Sequence, residues 1–152
     1  VASDLGQHCL AVLQADAAVI AQVMGGADGV VEAGDLSTTL LSDADKARTT
    51  AGTDTFVLAI CVIDRGEERG VVEADVFVYD RHRGYSNIRA VRQLVIAALA
   101  GCPATLDFNR YIVKVGYAGR SGHLQNLDFD LDVERISFSG PLVGEVSTDP
   151  LY

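Results

Sequence analysis

Phe56 to Ile63 reads Phe-Val-Leu-Ala-Ile-Cys-Val-Ile, an almost unbroken apolar run of strand length. Its β-branched content favours a buried central strand, which commits the chain to a sheet with covering structure. Asp64-Arg65-Gly66-Glu67-Glu68-Arg69-Gly70 follows as a turn, with two glycines placed where positive φ is needed. Val71 to Asp80 returns as a second strand, so the pair reads as an antiparallel hairpin. In that strand Glu73 and Asp75 share a face with Phe77 and Tyr79. Val72, Ala74, Val76 and Val78 share the other, which is expected to meet the core.

Helical spacing appears on both sides of the hairpin. Ser3 or Asp4 can cap a first helix carrying Leu5, Cys9, Val12 and Leu13, and Gly6 weakens its first turn. Asp16 opens a second, shorter helix through Val19, Ile20 and Val23 that stops at Gly25-Gly26, and two short helices are favoured over one kinked helix. The strongest helical stripe is Ile88, Val91, Leu94, Val95, Ala98 and Leu99, capped by Ser86 or Asn87 and ended by Gly101 and Pro103. Arg110 to Tyr117 is a third strand, Ala118 to Asn126 a loop, and Leu127 to Phe138 a fourth strand broken by Gly140-Pro141. The order α(α)ββαββ predicts an α+β fold, a mostly antiparallel four-stranded sheet with helices packed on it. At 152 residues the chain is expected to be a single domain over 1–152. Two stretches lack clear periodicity. Residues 27–54 read as a long loop or arm, either mobile or ordered against a neighbouring subunit, and 141–152 as a C-terminal extension.

Charge narrows the function. A formal net charge of −9 argues against nucleic-acid binding through a basic footprint. The distribution is uneven: up to Asp64 only Lys46 and Arg48 oppose nine carboxylates, whereas Arg81 to Arg120 holds seven cations against Asp107. Such a subunit has an acidic and a basic side and could pack beside copies of itself; a solvated surface with clustered charges is the plainer alternative. No apolar run reaches the ~18 residues that span a bilayer, so no membrane partner is expected. Val1 to His8 has no basic region followed by an apolar stretch, so no secretory signal is expected. Cys9, Cys61 and Cys102 are far apart and form no CxxC, which reads as buried reduced thiols in a protein made in the cytoplasm.

Residues 128 to 138 concentrate acids. Asp128, Asp130, Asp132 and Glu134 point one way from a strand, and the later apolar residues Ile136 and Phe138 break the register of Phe129, Leu131 and Val133. A bulge or change of face is expected at Glu134-Arg135. The spacing matches the start of an EF-hand loop, but Val133 stands where that loop needs glycine and Ser139 where it needs its bidentate acid. A looser divalent site would relieve the repulsion among four carboxylates, although no His or Cys joins them at ligand spacing. Gly119-Arg120-Ser121-Gly122-His123 departs from a nucleophile elbow at its last position and leads into another strand. His8 reads as half-buried or interfacial, His82 as surface, and His123 as a turn residue. No glycine-rich phosphate loop is present, and with no nucleophile–base pair the chain is expected not to be an enzyme and to need no cofactor.

Three stretches carry a resemblance. Leu10-Ala-Val-Leu-Gln-Ala-Asp16 continuing to Gly25-Gly26 is similar to the opening of tail terminator proteins of long-tailed bacteriophages. Val72 to Tyr79 followed by Tyr85 to Gly101 resembles the strand and helix that come next in that family. Tyr117 to Gly122, leading into Leu127 to Val133 and Ile136 to Phe138, resembles its final hairpin. The likeness spans most of residues 8 to 140 and rests on order and spacing; the long segment 27–54 departs from it.

The resemblance implies a structural virion protein that forms a homohexameric ring at the head-proximal end of the tail tube. Such a ring ends tube polymerisation and joins tail to head, with tail tube protein and head–tail connector protein as partners. Genomic DNA passes through its centre without specific binding. On that reading Asp128, Asp130, Asp132 and Glu134, or Glu73 and Asp75, are candidates for an acidic lumen wall that keeps the polyanion sliding. Arg81, Arg83, Arg89, Arg92 and Arg120 are candidates for the subunit or partner interface. Another head–tail connector or head-completion protein is the alternative in the same setting, and a small divalent-ion-binding module the alternative outside it.

Overall fold

A computed structural model of the chain describes residues 4–52, 55–81, 85–101, 104–106, 110–112, 114–122, 124–126 and 131–144. Asp4 caps helix α1 (Leu5–Ala15) by accepting from the Gln7 backbone N–H at 2.7 Å, and Leu5, Cys9 and Leu13 bury its inner stripe. Asp16 ends α1 and caps α2 (Ala17–Ile20) by accepting from Val19 N–H at 3.0 Å, so the two-helix reading holds. A 3-10 turn over Gly26–Gly29 follows. A Cβ on Gly29 would lie 2.2 Å from the Met24 carbonyl oxygen, so only glycine fits that crossing.

Within the segment expected to be a loop or arm, 27–54, residues 27–52 hold regular structure, and 53–54 lie outside the described residues. β1 (Val30–Glu32) pairs in parallel with the central strand, and α3 (Thr38–Ala51) starts at Ser37, whose hydroxyl accepts from Leu40 N–H at 3.1 Å. Gly52, at φ 69°, ends it. The helix was hard to read because its fully covered residues are only Leu41 and Arg48. A stripe whose second anchor is an arginine does not register as apolar.

β2 (Ala59–Glu68) and β3 (Val71–Arg81) form the expected hairpin. Its turn is shorter than the predicted 64–70: Arg69 and Gly70 both have positive φ, as a tight two-residue connection requires. The irregularity at Asp64 and Gly66 is a bulge within the ladder, where the Asp64 carboxylate accepts from Gly66 N–H at 2.7 Å and Gly6 N–H at 2.8 Å. α4 (Ser86–Leu99) buries Ile88, Val91, Val95 and Leu99. Its cap position is Tyr85, at φ 64°, rather than Ser86 or Asn87. β4 (Ala104–Leu106), β5 (Arg110–Ile112), β6 (Gly116–Arg120) and β7 (Leu124–Asn126) are short. The third predicted strand is therefore divided, and the predicted loop 118–126 contains strand residues.

β8 (Leu131–Gly144) organises the sheet, whose order is β1-β2-β3-β8-β5-β4 with β6 and β7 also on β8. Only the β1–β2 pair is parallel among these ladders, so the sheet is mostly antiparallel with helices packed on it. Gly140-Pro141 does not end the strand. Pro141 pairs with Val71, and it falls between the last β6 partner, Ser139, and the first β5 partner, Leu142. A residue without an N–H is tolerated where the outer neighbour changes.

The expected bulge at Glu134-Arg135 is also absent. β8 keeps an unshifted register with β3 from Leu131↔Arg81 to Pro141↔Val71. Asp132, Glu134, Ile136 and Phe138 share one face by alternation, and what changes is the covering layer. Leu131 and Val133 meet Leu41, Leu58 and Ala59 in a cluster that also gathers Leu36, Leu40 and Ala44 beside α3. Ile136 and Phe138 join the larger core of α1, α2 and α4 on the other face, with Val72, Ala74, Val76 and Val78, as predicted for β3.

Candidate assembly surfaces

Where β3, β8 and the start of α4 meet, the chain buries a belt of charge. Arg48, fully covered on α3, is paired with Asp80, donates to the Phe56 carbonyl at 2.9 Å and reaches Asp45 at 3.1 Å. Asp80 also accepts from Asn87 Nδ2 at 3.1 Å and from the Arg81 N–H at 2.7 Å, while Arg81 turns outward to Asp45 at 3.2 Å. Asp132 stands directly across from Asp80 in the ladder. Two carboxylates so placed repel unless each is neutralised or hydrogen-bonded. Tyr85 supports the second: burial first, then the charges of Asp132 and Glu134 and a hydrogen bond with Asp132, raise its phenol pKa. The same hydroxyl donates to the Leu124 carbonyl at 2.6 Å. Glu134 is reached by Arg92 at 2.8 Å and Arg120 at 3.4 Å, and its Oε2 atom has no hydrogen-bond partner.

These contacts correct the acidic-wall expectation for three of its residues. Asp132 is 3% exposed, Glu134 0% and Asp75 6%, and each has a partner. Asp75 accepts from the Ser137 hydroxyl at 2.8 Å and faces Arg65 at 3.7 Å. A carboxylate sealed against its counter-charge presents no field to a passing polyanion. Glu73 keeps a side chain 46% exposed, beside Arg65 at 3.6 Å. Asp128 and Asp130 lie outside the described residues.

The five arginines separate as well. Arg92 and Arg120 converge on Glu134, Arg81 joins the α3 latch, and Arg89 is exposed without a carboxylate partner among the described residues. Arg83 lies outside them. The long-range pairings were not legible because Arg92 and Glu134 are 42 positions apart.

Ser121 donates to the Gly122 carbonyl at 2.9 Å and accepts from Arg135 N–H at 3.0 Å, the work of a turn residue. Cys9 and Cys61 are buried free thiols, and burial pushes their pKa values up to about 12 and about 11. His8 is half-buried and desolvation lowers its pKa. Cys102, His82 and His123 lie outside the described residues. No group of His, Cys, Asp or Glu among the described residues could hold a metal ion. No helix among them is long and apolar enough to cross a membrane.

Two further surfaces lie apart from this belt, one at β1 and one on the outer side of β8. At β1, a groove of about 490 Å³ is lined by Leu10, Gln14, Val31 and Leu40 together with Asp28, Glu32 and Asp35. Beyond β8, β6 exposes Tyr117 on the face that also carries Arg120, and β7 exposes Leu124 on the opposite face. This grouping depends on the strand order and is not legible in the sequence.

No family model matches the chain, and neither does any curated protein. Among solved structures, it is similar to a chain from the virion of a native gene transfer agent (GTA) particle. The TM-score is 0.60 at 19% sequence identity, and the match covers 93% of this chain and 96% of the other. A match so complete at so low an identity establishes a shared fold.

Proposed function

We propose that this chain is a structural virion protein that forms a ring at the head-proximal end of a tail tube, ends tube polymerisation and joins the tail to the head connector. The observation that carries the reading is the fold shared, over nearly the full length of both chains, with a chain of a virion particle. The tail-terminator-like order of the sequence adds the position in the particle. The proposed role is non-enzymatic, and the buried thiols and the turn-bound Ser121 fit it.

The decisive experiment adds the purified chain to tail tubes and to portal-bearing heads in parallel. A terminator caps tubes at one end and halts their growth. Binding to the portal alone would instead establish the head-completion alternative. The divalent-ion reading is disfavoured because Glu134 is committed to two arginines and Asp132 is buried.

A further inference from the structure

Resting on that ring reading, we infer that the subunit contact is head-to-tail: the Tyr117–Arg120 edge of one copy, with Arg89 on the covering helix, seats in the acid-bearing β1 groove of the next. The groove supplies three exposed carboxylates, Asp28, Glu32 and Asp35, with no cation paired to them among the described residues, beside Leu10, Val31 and Leu40. The opposite edge supplies the complement. Tyr117 is one of the few large apolar side chains that the described residues expose; standing opposite Phe138, it shares a sheet face with Arg120, which stands opposite Ile136, and β6 pairs only with β8 among the described residues.

Charge at that edge is positive at the surface and negative beneath it. Arg120 and Arg89 are exposed, whereas Asp132 and Glu134, the nearby carboxylates, are buried. Arg89 lies one helical turn along α4 from Tyr85, the residue that holds Leu124 by its carbonyl. Two exposed cations beside an exposed tyrosine therefore face a groove bearing three unpaired carboxylates, and this charge complementarity selects a second copy as the occupant.

The groove is a receptor for side chains rather than a template for another strand. Gln14 donates to the Val30 carbonyl at 2.9 Å, and the Val30 N–H is turned to Ala27, so the β1 edge is already blunted. Two unlike patches of one subunit, one at β1 and one outside β8, make a heterologous contact, the kind that closes into a ring.

The test uses two full-length variants, one with the groove reversed (Glu32→Arg with Asp35→Arg) and one with the edge reversed (Arg89→Glu with Tyr117→Glu). All four positions are exposed, so circular dichroism and melting should stay close to the parent. Ring formation on tail tubes is read by electron microscopy and native mass spectrometry. Each variant alone should assemble at least ~10-fold less well, since like charges then meet at every contact. Mixed in equal amounts they should recover alternating rings, because reversed groove meets reversed edge and native groove meets native edge. Tubes capped normally by either variant alone would overturn the contact and leave the proposed function standing. Failure of the mixture to recover would overturn it too. A parent protein that neither caps tubes nor forms rings would remove the proposed function and this contact together.

Discussion

Replacing Arg48 by methionine keeps the aliphatic bulk under α3 and removes the ion pair with Asp80 and the hydrogen bonds to Phe56 and Asp45. Breaking a buried pair on one side costs about 3–5 kcal/mol. Asp80 keeps Asn87 and the Arg81 N–H, which places the cost near the lower figure, about 3 kcal/mol. The apolar attachment of α3 is modest: Leu41 is buried, worth about 2 kcal/mol, and Leu36, Leu40 and Ala44 are half-covered. The latch is thus comparable to all its apolar packing, and its loss should free the helix before it unfolds the sheet. A change of about 3 kcal/mol is roughly 100-fold in an opening equilibrium. Amide hydrogen exchange should show that loss of protection over Thr38–Ala51 while β3 and α4 stay protected, and Arg48→Lys should recover only part of it. Unchanged protection in α3, or an equal loss throughout β3 and β8, would refute the latch.

Gly6→Ala should destabilise by about 1–3 kcal/mol in urea unfolding despite alanine's better helix propensity, because the new Cβ would sit 2.7 Å from Asp64 Cβ. Glu134→Lys should fail to fold, since it adds a third cation to Arg92 and Arg120 in a fully buried site; a folded variant with altered DNA delivery would restore the lumen-wall role to this residue. Cys9 and Cys61 should resist alkylation in the native protein and react on unfolding, as peptide mapping would show. Their folded pKa values, about 12 and about 11, lie above the ordinary 9.0, and Tyr79 is likewise raised to about 12 from 10.0. The neutral forms are favoured by folding, so their contribution is complete below those ordinary values and is lost as pH rises toward the folded ones. Melting temperature should therefore fall progressively above about pH 9.

Where local chemistry and burial agreed, the fold was legible. Asp4, Asp16 and the stripe from Ile88 to Leu99 announce their helices, and the alternation of Val72 to Tyr79 assigns both faces of β3. Legibility ended where a polar residue did an apolar residue's work. Arg48 anchors α3, and without reading it as buried the segment 27–54 looks like a linker. The acidic strand failed for a related reason. Its hydrophobic register seemed to slip, but β8 runs straight and the helices above and below it change instead. The partners of Glu134 come from α4 and β6, so nothing near it in the chain announces its burial.

β8 is one long splint with three separate pieces bound along its outer side, β7 near its start, β6 in the middle and β5 at its end. Its inner side is held by β3 in a single unbroken register. Length changes between those outer pieces would leave the central pairing in place, because each piece finds its own station on β8. The edge inferred to meet a neighbouring subunit can therefore be respecified, for a new partner or a different diameter, without the core having to be re-threaded.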